Sequence, residues 1–395
     1  MSADRLSRMH EVLAAHVASG AAPGLVALVS RKDSVHVDVI GSMSIGGPPM
    51  QRDTIFRISS MTKPVTAVAA MILVEECKLR LDEPVDRLLP ELANRQVLKR
   101  IDGPLDETVP VHRPITVRDL LTFRMGLGYL FPMDEIPIHG AVAHLGLGPG
   151  PPRPLADPAP DEFLRRLGTL PLMCQPGERW LYNTPAEVLS VLVARAADQP
   201  FDAFLRERIF VPLGMQQTGF SVPAAQLDRL ATSYMASWQT GALEVYDPAE
   251  GGAWSRPPVF PNGAGGLVST ADDYLAFARM LMDNGRHGKT HILSRPSVQL
   301  MTTDQLTLEQ RTTSGFGPEF FADHGWGFCL YIATRRTQHS SLGSYGWGGG
   351  MGTLWENDPH EQMITILMTQ AGQASATPSG VFVDFPTLAY AAIDD

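Results

Sequence analysis

The four residues Ser60-Met61-Thr62-Lys63 set a hydroxyl and an amine three positions apart. On a helix that spacing puts both side chains on one face, within reach of each other. Pro64 is accommodated in a helix only in its first turn, so the helix begins close to Ser60. The run Val65–Val74 is apolar on nearly every side, which marks a helix buried at the centre of a domain. Burial disfavours the ammonium form of Lys63, and no carboxylate lies within a helical turn of it in the sequence. A free amine there can take the proton of Ser60, while the helix N-terminus favours a developing alkoxide. The plainer alternative makes Ser60 a helix cap and lets Lys63 reach solvent from the helix end. With 23 serines and 5 lysines in 395 residues, the tetrapeptide by itself does not decide between them.

Two further segments carry chemical groups. Tyr182 lies in Pro176–Thr184, just before Thr184-Pro185-Ala186-Glu187, which has the spacing of a capping box opening a helix to about Asp198. Such a position presents a phenol at a cleft; a packed aromatic is the structural alternative. The run Ser344–Gly352 holds Trp347-Gly348-Gly349-Gly350 at the start of a strand. Consecutive glycines let a substrate approach the backbone and leave N–H groups free for an oxyanion, or simply make a bulge. Other signatures are missing: no GxSxG, GxGxxG, P-loop or CxxC occurs, and the eleven histidines form no HxH pair. No metal and no cofactor are expected.

These groups need a scaffold. Residues 4–18 have helical periodicity, and Gly24–Arg31 with Val35–Ile40 make a hairpin turning at Arg31–Ser34. Residues 86–264 alternate helices and long loops, with a capping box at Thr116–Asp119. The Gly/Pro-rich stretch 146–160 is a stiff surface loop, either a connector or a lid. A helix starts after Thr270 and ends near Asn284-Gly285. Strand-like runs follow at Trp326–Ala333, Gly352–Glu356 and Met363–Thr369, and a helical pattern closes the chain near Leu388–Ile393. The expectation is an α+β fold: an antiparallel five-stranded sheet flanked by helices, built from residues 1–85 together with 265–395. Residues 86–264 form a mostly helical insertion, with the active site at the interface.

Composition narrows the function. Hydrophobic residues make up 44% and charged residues 19%, enough for a sizeable core. A net charge of −10 argues against nucleic acid, which needs a basic face. No apolar run reaches the ~18 residues of a membrane span, and the N-terminus lacks a signal-peptide pattern. Three scattered cysteines point to a reducing, cytoplasmic setting. The oligomeric state is not legible.

Taken together, Ser60-Met61-Thr62-Lys63, Tyr182 and Trp347-Gly348-Gly349 resemble the serine β-lactamase and penicillin-binding superfamily. The nearest likeness is to the class C β-lactamase-like family VIII carboxylesterases. Phe56–Lys63, Ile115–Thr122, Pro176-Gly177-Glu178 and Gly263–Thr270 extend it across residues 5–390. The resemblance implies the β-lactamase-like fold, with Ser60 as acylated nucleophile, Lys63 as proton acceptor and Tyr182 as partner base and relay. The oxyanion donors would be the N–H groups of Ser60 and Gly350. Trp347-Gly348-Gly349 stands where true β-lactamases have Lys-Thr-Gly, so the cation that attracts a substrate carboxylate is missing. Lys289-Thr290-His291 lies too early in the chain to replace it. Thr184 stands where the family has Asn, and the adjacent Asn183 is expected to point elsewhere. Substrate contacts are assigned to Tyr129, Phe131, Trp347, Gly348 and Gly349; Trp326 is a wall candidate or a core residue.

The expected function is therefore a serine carboxylesterase acting on small, short-chain acyl esters through a Ser60 acyl-enzyme. Alternatives are an acyltransferase using the same intermediate, a weak β-lactamase or D-aminopeptidase, and a non-catalytic acyl-binding sensor.

Overall fold

The computed structural model describes residues 1–130, 136–148, 150–237, 239–317, 319–372 and 379–395. Its centre is an antiparallel sheet of strands β1 (Gly24–Arg31), β2 (Ser34–Gly41), β3 (His324–Trp326), β4 (Tyr331–Ala333), β5 (Tyr345–Gly349), β6 (Thr353–Asp358) and β7 (Met363–Thr369). The strand order is β3-β4-β5-β6-β7-β1-β2. The sheet thus has seven strands rather than five, for two local reasons. Trp326–Ala333 is not one strand: a turn closed by Gly327 N–H on Leu330 O, with Cys329 at φ 61°, divides it. The glycine-rich run 345–349 is itself a strand, pairing with β6 from Tyr345↔Asn357 to Gly349↔Thr353.

All eight residues of β1 are buried, because it lies between β7 and β2 with both faces covered. Leu25, Ala27 and Val29 face one layer with Met363 and Leu367. That layer is made by α1 (Ala3–Ala18) and α6 (Gly380–Ala391), which contribute Met9, Leu13, Val381 and Phe385. The closing helix therefore starts earlier than its periodicity suggests, with Pro386 inside it. Val26, Leu28, Ile364, Ile366 and Met368 point the other way, into the main core.

On that second face lies α2 (Thr62–Glu75), with twelve buried residues and Pro64 in its first turn. A 3₁₀ turn, Ser59–Met61, leads into it. Beside it run α5 (Ala271–Met282), capped by Thr270 on Asp273 N–H, and from the middle of the chain α4 (Thr184–Ala197). The short helix α3 (Val117–Leu121) has the expected capping box, Thr116 with Asp119. The box expected at Thr184 is absent. Asn183 occupies the cap position at φ 72° without a side-chain cap, and Glu187 turns inward instead of back to the helix start.

The segment leading to Ser60 is tied down from the middle of the chain. Arg57 donates from Nε to Asp247 Oδ2 at 2.8 Å and also through its terminal nitrogen, and its guanidinium stacks on Trp254. Arg57 is 2% exposed and Asp247 7%, so each ion depends on the other. Asp247→Ala leaves a buried guanidinium unpaired and should lower unfolding stability by about 3–5 kcal/mol in urea denaturation. A loss below about 1 kcal/mol would mean that the pair is hydrated or replaceable.

Candidate active site

Strand pairing of Phe56–Arg57 with Val268–Ser269 delivers the chain to a left-handed residue, Ser59 at φ 44°, and then to Ser60 at the mouth of α2. Ser60 is partly exposed, whereas Lys63 one turn later has no exposed surface. Lys63 Nζ lies 3.0 Å from Ser60 Oγ and 2.5 Å from the carbonyl oxygen of Ala264. It sits 4.5 Å from the centre of the Tyr182 ring, over its face. Burial lowers the Lys63 pKa to about 7, with Glu187 and Cys329 opposing that shift. Burial holds Cys329 itself well above the usual thiol range.

A neutral amine has two N–H donors and one lone pair. One N–H is committed to Ala264 O and the other faces the Tyr182 ring, so the lone pair is left for the Ser60 hydroxyl. That is the arrangement a general base for serine requires.

Tyr182 comes from the other side, on a bridge in which Tyr129 N–H donates to Tyr182 O at 2.8 Å. Its hydroxyl accepts the Trp347 indole N–H at 2.9 Å and reaches the Ser60 side chain. Burial pushes the phenol well above its ordinary pKa, with Ser60 and Trp347 partly offsetting this. Tyr182 is thus a neutral phenol near neutral pH, while Lys63, brought down to about 7, is the group beside Ser60 that can shed its proton there. Rings of Phe123, Tyr129, Trp180, Phe316 and Trp347 surround it.

Ser60, Tyr182, Tyr129 and Gly350 line one cleft of about 360 Å³, a size that suits a small substrate. A side chain at Gly349 would lie 2.3 Å from Ile58 O, so only glycine lets β5 dock beside the serine turn and carry Gly350 to the cleft. Trp347, Gly348 and Gly349 do not line it: the indole points at Tyr182 and the two glycines belong to the docked strand. Trp326 is fully buried against Trp347 and Phe123, in the core. Phe131 falls outside the described residues. Lys289-Thr290-His291 lies in a separate two-stranded ribbon with Arg286–His287.

Three features depart from the sequence expectation. Asn183 does face the cleft, because its left-handed backbone turns it to the same side as Tyr182; its Nδ2 donates to Tyr129 Oη at 3.0 Å. The Gly/Pro-rich stretch forms one wall through Gly148, Gly150, Pro151, Pro152, Arg153 and Asp157, pinned where Tyr246 donates to Pro152 O at 2.9 Å. Glu187, read from sequence as a capping partner, is a half-buried residue lining the cleft, and desolvation raises its pKa to about 7. Its position five residues after Tyr182 on an otherwise buried helix face was the available signal. Among the described residues no cluster of metal-binding groups occurs, and no helix is long and apolar enough to cross a membrane.

A serine hydroxyl beside a dehydrated lysine, with a neutral phenol alongside, is the arrangement expected of enzymes that transfer acyl groups through serine. Comparison with known proteins agrees. The Beta-lactamase family matches residues 9–379, and this chain belongs to that family as a serine hydrolase. It is 41% identical to Protein Rv1367c of Mycobacterium tuberculosis over 89% of this chain and 86% of the relative. It is 30% identical to Esterase EstB of Burkholderia gladioli, over 88% and 85% respectively. Among solved structures it resembles EstCE1, a hydrolase with promiscuous acyltransferase activity, with a TM-score of 0.78 at 26% identity, covering 98% of both chains.

If the active form carries Lys63 as free amine, kcat/KM should rise with pH and level off above an apparent pKa of about 7. The direction follows from protonation: below that value the ammonium cannot accept the serine proton. A pH–rate series on a neutral ester checks this, and a profile flat from pH 5 to 9 would contradict it.

Proposed function

We propose that the protein is a serine carboxylesterase that hydrolyses small, short-chain acyl esters through an acyl-enzyme on Ser60. The observation that carries this reading is the 3.0 Å approach of a fully buried amine to a partly exposed serine hydroxyl. As Ser60 Oγ bonds to the ester carbonyl carbon, its proton passes to Lys63 Nζ. The oxyanion that forms is held by the N–H groups of Ser60 and Gly350. The bond to the alcohol then breaks, and the alcohol oxygen receives the proton from Lys63, relayed by the Tyr182 hydroxyl. Water repeats the sequence: Lys63 takes its proton, the oxygen attacks the acyl carbon, and Ser60 regains a proton as the acid leaves. The site then lies between an α/β domain (1–85 with 265–395) and an inserted helical domain (86–264). Tyr129, whose ring centre lies 6.5 Å from that of Tyr182, is the wall residue proposed to contact the substrate.

Neutral esters are favoured over β-lactams and D-alanyl peptides because Trp347 supplies no charge to attract a carboxylate. A second reading, acyl transfer to an alcohol, is supported by the likeness to EstCE1, described as a hydrolase with promiscuous acyltransferase activity. It uses the same acyl-enzyme and differs only in what attacks it.

A p-nitrophenyl ester chain-length series run beside nitrocefin tests the proposal. Short acyl chains should be turned over fastest and nitrocefin poorly. Ser60→Ala should lose on the order of 10⁶-fold in kcat, and Tyr182→Phe about 100-fold or more with its thermal melt unchanged. Esterase activity of wild-type size in Ser60→Ala would end the assignment. A small alcohol added to the assay separates the two readings by the ratio of transferred ester to free acid.

A further inference from the structure

Glu187 touches both halves of the machinery without touching the serine. Asn262 donates from Nδ2 to Glu187 Oε1 at 3.2 Å, while its Oδ1 accepts the N–H of Ala264 at 2.8 Å. The orientation is settled chemically: a backbone N–H can only donate, so the amide oxygen must face Ala264 and its NH₂ the carboxyl. Ala264 O is the oxygen that accepts from Lys63 Nζ. The Gly263 carbonyl of the same turn is held by Thr66 Oγ1 of α2 at 2.8 Å. On its other side Glu187 is hydrogen-bonded by Asn183, the residue that follows Tyr182 and bonds Tyr129. One carboxyl therefore links the turn that orients the lysine to the segment that carries the phenol.

We propose that Glu187 is the positioning residue of this site: it clamps the Asn262–Ala264 turn to the Tyr182–Asn183 segment and gives Lys63 a negative charge to face when it holds the serine proton. The proposal rests on the Ser60–Lys63 reading above. When Lys63 becomes an ammonium in a place without water, the carboxylate across the cleft offsets the new charge. Among the described residues, the charged and polar groups facing Glu187 are these. Lys63 approaches from α2, Asp157 and Arg153 come from the Gly/Pro-rich wall, and Tyr129 and Asn183 lie beside it. His139 lines a small apolar cavity on its far side. Asp157 is itself hydrogen-bonded by Asn262 and adds a like charge.

The sign of the pH effect separates this role from mere packing. A carboxylate at 187 favours the Lys63 ammonium, so it raises the pH at which the free amine appears. Glu187→Gln keeps the shape and an acceptor for Asn262 but removes the charge. It should move the acid limb of kcat/KM to lower pH by about one unit, while kcat on its plateau falls by roughly ten- to a hundredfold. Glu187→Asp, with the charge kept and the reach shortened, should retain the wild-type limb with a lowered plateau. The assay is a p-nitrophenyl acetate pH series with thermal melts of each variant. A wild-type profile in Glu187→Gln overturns the proposal, as does a lowered plateau with an unmoved limb, which would make Glu187 a packing residue. Should Glu187→Gln not fold, Glu187→Asp carries the test alone, and a limb shifted to lower pH in that variant overturns the proposal. Turnover surviving in Ser60→Ala would instead bring down the underlying serine reading, whatever the Glu187 variants do.

Discussion

A lysine amine without exposed surface, held within 3.0 Å of a serine hydroxyl, is the constraint around which the rest of the molecule is arranged. Keeping that amine dry needs a helix apolar on every side, which requires layers on every side. The sheet face carrying Val26, Leu28 and Ile366 covers one flank, and α4 with the turn at 262–266 covers another. Burial brings the lysine down to about 7, so the chemistry follows from the packing and not from an added charge. The seven strands and the buried helices serve to exclude water from one nitrogen atom.

The same dryness sets the part of the phenol. Tyr182 is nearly as buried as Lys63, but burial acts oppositely on the two: it favours the uncharged amine, which is a base, and the uncharged phenol, which is a donor. A pair that shares one environment is thereby split into acceptor and donor. This division suits a reaction in which a proton must leave one oxygen and reach another. It also explains why the phenol is held by an indole N–H: a donor on its oxygen leaves the hydroxyl proton free to point toward the serine.

Much of this was legible in the sequence. The i, i+3 spacing, the all-round apolar run and Pro64 together specified α2 and the orientation of Ser60 toward Lys63. The hairpin β1–β2, α1 and α5 were set by periodicity and capping residues. What escaped were the consequences of single backbone torsions. The left-handed turn at Cys329 divides an apolar stretch that reads as one strand, and the glycine-rich run 345–349 pairs as another, so the sheet has two more strands than periodicity indicates. The left-handed Asn183 brings two neighbouring side chains into one cleft, although adjacent residues ordinarily diverge. Glu187 was hidden differently. Three residues after a threonine it has the spacing of a cap, and only tertiary contact with Asn262 reveals that it faces the reaction centre. Local sequence rules describe what a residue does for its own helix, and they fall silent on what a neighbouring loop asks of it.

Trp347 shows how one substitution can change a motif's direction. A lysine at this place in the strand would extend toward substrate and offer charge to a carboxylate. The indole instead turns inward, meets Trp326 edge-to-face at 4.7 Å and spends its only donor on Tyr182. The strand consequently works on the enzyme's own phenol rather than on a ligand. The cleft it leaves is lined by Asn183, Asn262, two acidic residues and the glycine-rich wall, with Arg153 as the cation at its rim. A substrate carboxylate entering there would meet Asp157 and Glu187 without a buried counter-charge, whereas an ester brings no charge that needs one. The preference for neutral esters proposed above rests on this desolvation cost: a neutral group loses little on leaving water, and an unpaired carboxylate loses much.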